Sequence, residues 1–209
     1  MADLGELAVA IEAGDRASAV RLTNEALAAS VPPREILDAM TAAMAVIGRK
    51  FQDGDIFVPE MLIAARAMKE ATAVLEPVLI EAGIRPEHTA VIGTVEGDLH
   101  DIGKNLVGMM LKGAAINVVD LGVNVPASKF VEAAREHGAH LIGISALLTT
   151  TMPNMRAVVE GIKAAGVDAS VMIGGAPTTP EFAAQIGADG FAPDAGAAVD
   201  LAHQLLAGR

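Results

Sequence analysis

The feature that most constrains this chain is a change in the periodicity of its apolar residues near Glu87. Beyond it, short β-rich runs alternate with amphipathic helical stretches. Nearly continuous apolar strands separated by helices indicate a parallel sheet covered on both faces. We expect strands at 89–95, 116–122, 140–146 and 170–175, with a weaker fifth at 190–193. The helices are expected near 103–113, 126–137, 152–165, 179–186 and 195–207.

The residues before this change have helical periodicity. Apolar side chains from Leu4 to Ile11 recur at the spacing of one helix face, and a second helix is expected from near Asp15. Pro32-Pro33 can open a third helix, and a long fourth pattern follows Pro59. Pro77 falls inside this fourth pattern, where we expect it to kink or end the helix.

These patterns predict an α plus α/β protein with two domains. A four-helix bundle, the cap domain, is expected over residues 1–86. A flavodoxin-like (Rossmann-type), doubly wound parallel sheet of five strands is expected over residues 87–209. Ligands of such sheets bind beyond the carboxyl ends of the strands, so the loops at that edge are the first candidates for a site.

Charge and composition exclude several classes of function. The net charge of −11 argues against nucleic acid as the main ligand, because phosphate binding needs a basic face. The absence of cysteine excludes disulfides, thiolate metal sites and a cysteine nucleophile. No run approaches the roughly 20 apolar residues of a membrane helix, and the acidic N-terminus lacks the basic opening of a signal peptide. We expect a cytoplasmic protein with no nucleic-acid or membrane partner.

The loop after the first predicted strand, EGDLHDIG, carries an aspartate two residues before a histidine. In an extended chain Asp98 and His100 would face the same way. A metal-ligating imidazole commonly donates its second ring N–H to a carboxylate, which fixes its tautomer. Gly97 and Gly103 would let a bulky group approach the backbone. The alternative is a histidine that only packs against or caps the following helix.

The rest of the sequence does not complete a conventional metal site. Zinc takes three or four protein ligands, but His137 and His140 precede the third strand and so belong to the opposite edge of the sheet. His88 lies in the domain boundary and His203 in the last helix. One histidine with one carboxylate indicates a metal whose other ligands come from elsewhere, for example from a macrocycle.

Two further loops end at the same edge of the predicted sheet. The loop after the third strand holds four hydroxyl residues, of which a helix N-cap would explain one: Ser145, Thr149, Thr150 and Thr151. The loop after the fourth strand, Gly174-Gly175-Ala176-Pro177, suits a flat group lying against backbone, although turn chemistry alone also explains it. The glycine-rich signatures of dinucleotide and P-loop sites do not occur.

Three linked motifs make the chain resemble a known family. Asp98-Leu99-His100-Asp101-Ile102-Gly103 has the pattern D-x-H-x-x-G, Ser145-Ala146-Leu147 the pattern S-x-L, and Gly174-Gly175 completes the set. The motifs are separated by 41 residues (104–144) and 26 residues (148–173). The chain resembles corrinoid (cobalamin-binding) proteins of methyltransferase systems, with a methionine-synthase-like helical cap that the stretch 48–71 also resembles.

The resemblance implies a role for each motif residue. His100 would be the lower axial ligand of cobalt in cobalamin or a related corrinoid (methylcobalamin), Asp98 would hold its far nitrogen, and Thr151 would complete a relay in which the family commonly has serine. The nucleotide tail of the cofactor would run past the second and third motifs. The remaining cofactor contacts implied are Gly97, Leu99, Asp101, Ile102 and Gly103 in the first loop; Ser145, Leu147, Gly174 and Gly175 along the tail; Thr149 at the corrin; Ala195 near the tail; and Phe51 and Val58 over the upper face.

The resemblance also implies a function that the chain performs with partners. It would be the corrinoid methyl-carrier subunit of a multi-component methyltransferase and would not be a catalyst alone. Cobalt(I) would accept a methyl group from a substrate:corrinoid methyltransferase, and methyl-cobalt(III) would donate it to an acceptor methyltransferase using tetrahydrofolate, a related pterin or a thiol. A reductive activase would rescue oxidised cobalt. The alternatives are a cobalamin-dependent sensor or regulator, a mutase subunit, and a flavodoxin-like domain that binds no cobalamin.

Overall fold

The computed structural model describes residues 3–84 and 86–207. They form two compact units, one of residues 3–84, 86 and 113–115, and one of residues 87–112 and 116–207. The helices of the described residues are α1 (Leu4–Glu12), α2 (Arg16–Ala28), α3 (Pro33–Gln52), α4 (Val58–Glu81), α5 (Ile102–Gly113), α6 (Ala127–Glu136), α7 (Met152–Ala164), α8 (Pro180–Ile186) and α9 (Ala195–Leu206). The strands are β1 (Thr89–Thr94), β2 (Asn117–Asp120), β3 (Leu141–Ser145), β4 (Ser170–Gly174) and β5 (Gly190–Ala192).

The helical unit is built from α1 to α4. The Asp3 and Asp15 side chains cap α1 and α2 by accepting backbone N–H groups of their first turns. Pro33 begins α3, where a missing N–H removes no helical hydrogen bond. The buried side chains of this unit are mainly aliphatic and methionine, among them Leu7, Ile11, Ile36, Met40, Met44, Met61 and Leu75. None of the helices within 3–84 and 86–207 is long and apolar enough to cross a membrane.

Pro77 neither ends α4 nor splits it into two helices. The helix begins at Val58 and continues past the proline to Glu81. Proline removes one helical hydrogen bond and crowds the preceding turn, which is why the sequence predicted a kink or an end there. Leu75 is fully buried and Leu79 nearly so, on either side of Pro77. Burial on both sides explains why the helix continues, since tertiary packing overrides local propensity.

The α/β unit contains a five-stranded, all-parallel sheet in the order β2-β1-β3-β4-β5, which confirms the predicted fold. The chain adds β2 on one side of β1 and then crosses to add β3 on the other. In the register, Thr94 at the end of β1 lies beside Ser145 at the end of β3. The loops that follow these two strands therefore leave the sheet side by side. In a doubly wound sheet, this reversal of direction is where ligands bind.

A ring from α6 packs directly on the central strand. Phe130 is fully buried, and β1 accommodates it with a glycine. A Cβ at Gly93 would lie 2.7 Å from the Phe130 Cζ atom and 3.0 Å from its Cε1 atom. The close approach of this helix to the sheet therefore depends on the missing side chain.

Gly93→Ala should destabilise the α/β unit by about 1–3 kcal/mol, the usual range for overpacking a dense core. Gly161→Ala is the matched control, because its Cβ on α7 would meet only Val131 at an ordinary 3.4 Å. Alanine is also the better helix former, so this control should be neutral or stabilising. Native-state hydrogen exchange of the strand amides measures both effects within this unit. Equal protection in the two variants would show that Phe130 adjusts without strain.

Candidate functional site

Asp98 lies at the centre of the candidate site. After β1 ends at Thr94, the chain turns, and the Asp98 N–H donates to the Val95 carbonyl over 3.1 Å. The Asp98 residue is fully buried. A buried carboxylate is unfavourable unless hydrogen-bond donors surround it, so the donors that Asp98 gathers define the site.

Asp98 accepts five hydrogen bonds from two loops. Its Oδ1 atom accepts from the backbone N–H of His100 at 3.1 Å and lies 2.7 Å from His100 Nδ1. Its Oδ2 atom accepts from the backbone N–H groups of Leu147 at 2.8 Å and Leu148 at 3.2 Å, and from the Thr151 hydroxyl at 2.8 Å. The carboxylate therefore ties the loop after β1 to the loop after β3.

These donors decide the charge of Asp98. Burial, the largest single influence, raises its pKa because it penalises the charged form. The hydrogen bonds from Leu147 N–H, from His100 and from the Thr151 hydroxyl together outweigh burial and hold the pKa of Asp98 well below its ordinary value. Asp98 is consequently a carboxylate at neutral pH.

The charge of Asp98 fixes the tautomer of His100. A carboxylate has no hydrogen to donate, so the short contact at Nδ1 requires that Nδ1 carries the proton. The lone pair of the neutral ring then lies on Nε2. The His100 side chain is 51% exposed, and Nε2 has no hydrogen-bond partner among the described residues. The site thus offers one oriented, accessible imidazole nitrogen.

Thr151 occupies the N-cap position of α7, but its hydroxyl makes no capping hydrogen bond. The hydroxyl instead contacts Asp98 and lies 2.9 Å from the Leu148 carbonyl. Since it has one hydrogen, it shares that hydrogen between the two oxygens. The structure therefore brings together the predicted trio of Asp98, His100 and Thr151. The Thr151 hydroxyl therefore binds the carboxylate and does not cap α7.

The other residues of the first motif lie around His100 in the chain. Leu99 and Ile102 are large apolar side chains, 72% and 79% exposed. Asp101 is exposed, and its side chain accepts a hydrogen bond from Asn105 at 3.0 Å. Gly103 lies in the first turn of α5, with open space where a Cβ would be. Strongly exposed apolar side chains on a ligand-side loop are typical of a surface that a ligand covers.

The second motif follows β3. Ser145 ends that strand and is half-buried. Leu147 donates its N–H to Asp98, yet its side chain is 42% exposed, and Leu148 resembles it at 41%. Thr149 and Thr150 are exposed. The hydroxyl residues of this loop therefore do not act as one cluster, since only that of Thr151 reaches Asp98.

The third motif permits two loops to approach closely. Gly175 has φ +125°, and a Cβ there would lie 1.9 Å from the Ala146 carbonyl oxygen. A Cβ at Gly174 would lie 3.1 Å from the Ala192 carbonyl oxygen. Packing of the loops after β3 and β4 thus demands glycine at Gly175, whatever ligand they hold. Ala195 is buried in the first turn of α9, and its contact with a cofactor tail stays a prediction.

Phe51 and Val58 lie in the helical unit, near the end of α3 and at the start of α4. Phe51 is half-buried, and Val58 is 36% exposed, beside Phe57, which is 69% exposed. Their predicted position over the upper face of a cofactor stays a prediction.

Two residues that hold the first loop, Asn124 and Thr94, were not predicted from the sequence. Asn124 contacts both Gly97 and Asp98. The Thr94 hydroxyl donates to the His100 carbonyl over 2.9 Å. Their signal was topological: each lies at or just beyond the end of β1 or β2, at the edge that carries the motif.

An ion pair at the same edge, with a buried lysine and an exposed aspartate, was not predicted either. The Lys104 ammonium, almost fully buried in the first turn of α5, donates to both carboxylate oxygens of Asp120 at 2.7 and 2.6 Å. Asp120 is the last residue of β2. The pair therefore joins the helix that follows the histidine loop to the neighbouring strand.

The described residues contain no group of three or more His, Asp or Glu side chains that could hold a metal ion. The metal would receive one protein ligand, from His100, and its remaining ligands would come from a cofactor. His100 is half-exposed, and the lone pair of its Nε2 can bind a metal. Together with the exposed apolar side chains beside it, this arrangement fits a planar macrocycle that brings its own metal.

Comparison with known families agrees with this geometry. A B12 binding domain matches residues 88–201, and a second B12 binding domain matches residues 4–76. The chain belongs to the B12-binding protein family. The resemblance to corrinoid proteins is thereby confirmed.

Relatives and solved structures support the same assignment. The chain is 39% identical to a corrinoid protein of Desulfitobacterium hafniense over 99% of this chain and 98% of that one. It is 41% identical to dimethylamine corrinoid protein 1 of Methanosarcina mazei over 99% and 97%. The fold is similar to that of a cobalamin-binding protein from D. hafniense, with a TM-score of 0.83, 29% identity and coverage of 99% of this chain and 100% of that one. It is also similar to a chain of the methanol:cobalamin methyltransferase complex of Methanosarcina barkeri, with a TM-score of 0.86, 30% identity and coverage of 98% and 79%. These findings support a corrinoid cofactor.

Asp98→Asn should reverse the tautomer of His100. Three donors surround the Oδ2 position, so the amide oxygen must sit there and the NH2 group must face Nδ1. Nδ1 then accepts, and the proton moves to Nε2, which can no longer bind a metal without losing it. Nitrogen-15 NMR of the cofactor-free protein reports the tautomer, and the affinity of His100 for cobalt should fall about 10- to 100-fold.

Asp101→Asn is the charge-matched control for this variant, because its carboxylate contacts Asn105 and not the imidazole. It should leave the tautomer unchanged. A wild-type tautomer in Asp98→Asn would contradict the role assigned to the Asp98 carboxylate.

Gly175→Ala should destabilise the α/β unit by about 2–5 kcal/mol, because it combines a strained φ with a backbone clash. Gly138→Ala separates the two causes, since Gly138 has φ +56° and open space around its Cβ position. This control should cost only about 1–2 kcal/mol. Urea unfolding followed by circular dichroism compares them, and equal losses would show that the Ala146 carbonyl moves away freely.

Proposed function

We propose that this corrinoid protein carries methyl groups between the enzymes of a multi-component methyltransferase system. The observation that supports this most is the half-exposed His100, whose Nε2 is free to bind a metal because a buried carboxylate holds Nδ1. Nδ1 is oriented by Asp98, and Nε2 has no hydrogen-bond partner among the described residues, so the ring presents one nitrogen to a ligand.

The residues that would hold the corrinoid come from three loops at one edge of the sheet. His100 would be the protein ligand of its cobalt, and the exposed side chains of Leu99 and Ile102 would pack against the corrinoid. Ser145, Leu147, Gly174 and Gly175 would flank its nucleotide tail. When bound, the corrinoid supplies a cobalt centre that can take a methyl group from one partner and give it up to another.

The contribution of the protein is control of one imidazole. A metal bond and a proton exclude each other at Nε2, so His100 can bind a metal only through an unprotonated Nε2. The Asp98 carboxylate holds the proton of the ring at Nδ1, and the Thr151 hydroxyl donates to Oδ2 of the same carboxylate. The trio would therefore keep one proton at Nδ1 and leave Nε2 to the cobalt.

We propose three partners, of which the names of the relatives support the first. One would be a substrate:corrinoid methyltransferase, and the names of the relatives indicate a methylated amine or methanol as the methyl donor. A second would transfer the methyl group to tetrahydrofolate, a related pterin or a thiol. A reductive activase would restore oxidised cobalt. Phe51 and Val58 would shield the upper face between transfers, and the system would operate in the cytoplasm.

The first test is reconstitution with hydroxocobalamin followed by desalting, for the wild type and His100→Ala. With neither Trp nor Tyr in the chain, the absorbance near 280 nm and above comes almost entirely from cofactor. We expect about one cobalt per chain in the wild type. The EPR spectrum of its cobalt(II) form should show coupling to one axial imidazole nitrogen, which His100→Ala should lose.

His203→Ala is the control, since His203 is exposed on α9 and belongs to none of the motifs. It should retain both the cobalt and the imidazole coupling. A colourless wild type would refute corrinoid binding. Coupling that persists in His100→Ala would place the axial ligand elsewhere.

A further inference from the structure

We propose that Asn124 is a positioning residue for the Asp98–His100 pair. It lies in the loop between β2 and α6, outside the three sequence motifs. This inference rests on the proposed function of His100 as the cobalt ligand, but the contacts that support it belong to the cofactor-free protein. They concern the backbone on either side of Asp98.

Asn124 makes hydrogen bonds to both sides of Asp98. Its backbone N–H donates to the Asp98 carbonyl over 2.9 Å. Its side-chain Oδ1 accepts the Gly97 N–H over 2.7 Å, the shorter of the two bonds. One residue thus holds the peptide that precedes Gly97 and the peptide that follows Asp98, which limits rotation of the backbone that carries the carboxylate.

The rest of the Asn124 loop is fixed to β1, so it provides a rigid support. The Thr94 N–H donates to the Gly122 carbonyl over 3.0 Å, and the Val125 N–H donates to the Thr94 carbonyl over 2.9 Å. Val95 and Val125 form a parallel bridge beyond the strand ends. The pairing of β1 with β2 therefore continues through the loops, and Asn124 extends it to Gly97 and Asp98.

The geometry of Asp98 leaves little tolerance for movement. Its two oxygens must meet His100 on one side and the Leu147 loop on the other at the same time. A shift of the Gly97–Asp98 backbone would lengthen one set of bonds to preserve the other. Without the Asn124 side chain, Gly97, whose φ is +83°, loses the acceptor for its N–H.

The conformation of Asn124 limits which residues could bond both Gly97 and Asp98 from this position. Its φ is +54°, in the left-handed region where glycine, asparagine and aspartate are tolerated best. Glycine would keep the backbone but lack the acceptor. Aspartate would keep the acceptor but bring a second carboxylate near Asp98. Asparagine and aspartate therefore both supply the acceptor from a left-handed backbone, and asparagine does so without adding a charge.

The test compares Asn124→Gly with Asn124→Asp. Both keep the left-handed backbone and the N–H that bonds Asp98, and only the aspartate keeps an acceptor for Gly97. In cofactor-free Asn124→Gly we expect hydrogen exchange at the Leu147 amide to become about ten-fold faster, since one hydrogen bond restrains its acceptor. The amides of β3 and β4 should keep wild-type protection, and Asn124→Asp should exchange like the wild type at Leu147.

The second measurement uses each variant loaded with cobalamin and reduced to cobalt(II). For Asn124→Gly, the ratio of cobalt(II) with imidazole coupling to cobalt(II) without it should fall about ten-fold. This is the lower end of the range of effects seen for residues that orient a metal ligand. A residue needed only to form the loop would change neither this ratio nor the Leu147 exchange rate.

Wild-type exchange at Leu147 together with a wild-type EPR ratio in Asn124→Gly would overturn the proposal. If that variant is too unstable to measure, Asn124→Ser takes its place in both experiments. Serine also adopts the left-handed region in this chain, at Ser30, but its side chain is too short for the hydroxyl to reach Gly97. A wild type that binds no cobalamin would refute the proposed function alone, since the exchange experiment needs no cofactor.

Discussion

The site depends on one buried charge. Asp98 has no exposed surface, yet its donors keep it ionised, so the protein must bring backbone N–H groups, a hydroxyl and an imidazole to it. This requirement shapes the loop after β3, where two successive N–H groups and Thr151 point at one oxygen. The tautomer and orientation of His100 are consequences of satisfying that carboxylate.

The topology of the sheet makes this arrangement possible. Because β1 and β3 are neighbours although they are not consecutive, loop residues 49 to 53 positions apart in the chain meet at one edge. On the other side of β1, Asp120 at the end of β2 and Asn124 in the loop after it contribute to the same region. Three strands thus support one histidine, and the site sits where the direction of chain addition reverses.

The sequence predicted the elements well but not the contacts between their loops. Alternating apolar strands and helices were sufficient for the parallel sheet, because burial on both faces leaves a clear pattern. Asp98 and His100 could be paired because they are two residues apart. Asn124 could not be predicted, since its bonds to Gly97 and Asp98 depend on strand order and on a left-handed φ that no local pattern specifies. Pro77 shows a related limit: local propensity indicated a kink or an end, and α4 does not end there because Leu75 and Leu79 are buried on either side of the proline.

Thr151 shows how these constraints combine in a single side chain. A serine would supply the same hydroxyl, and the added methyl group could have disturbed its geometry. The hydroxyl nevertheless lies 2.8 Å from Asp98 Oδ2, and the methyl carbon lies 3.5 Å from where a Cβ of Gly97 would be. Since a β-branched side chain has few χ1 options, the methyl group limits the rotation that would take the hydroxyl off the carboxylate. Threonine at this position therefore makes the contact with Asp98 more rigid than serine would, and the methyl group fits beside the first loop without crowding it.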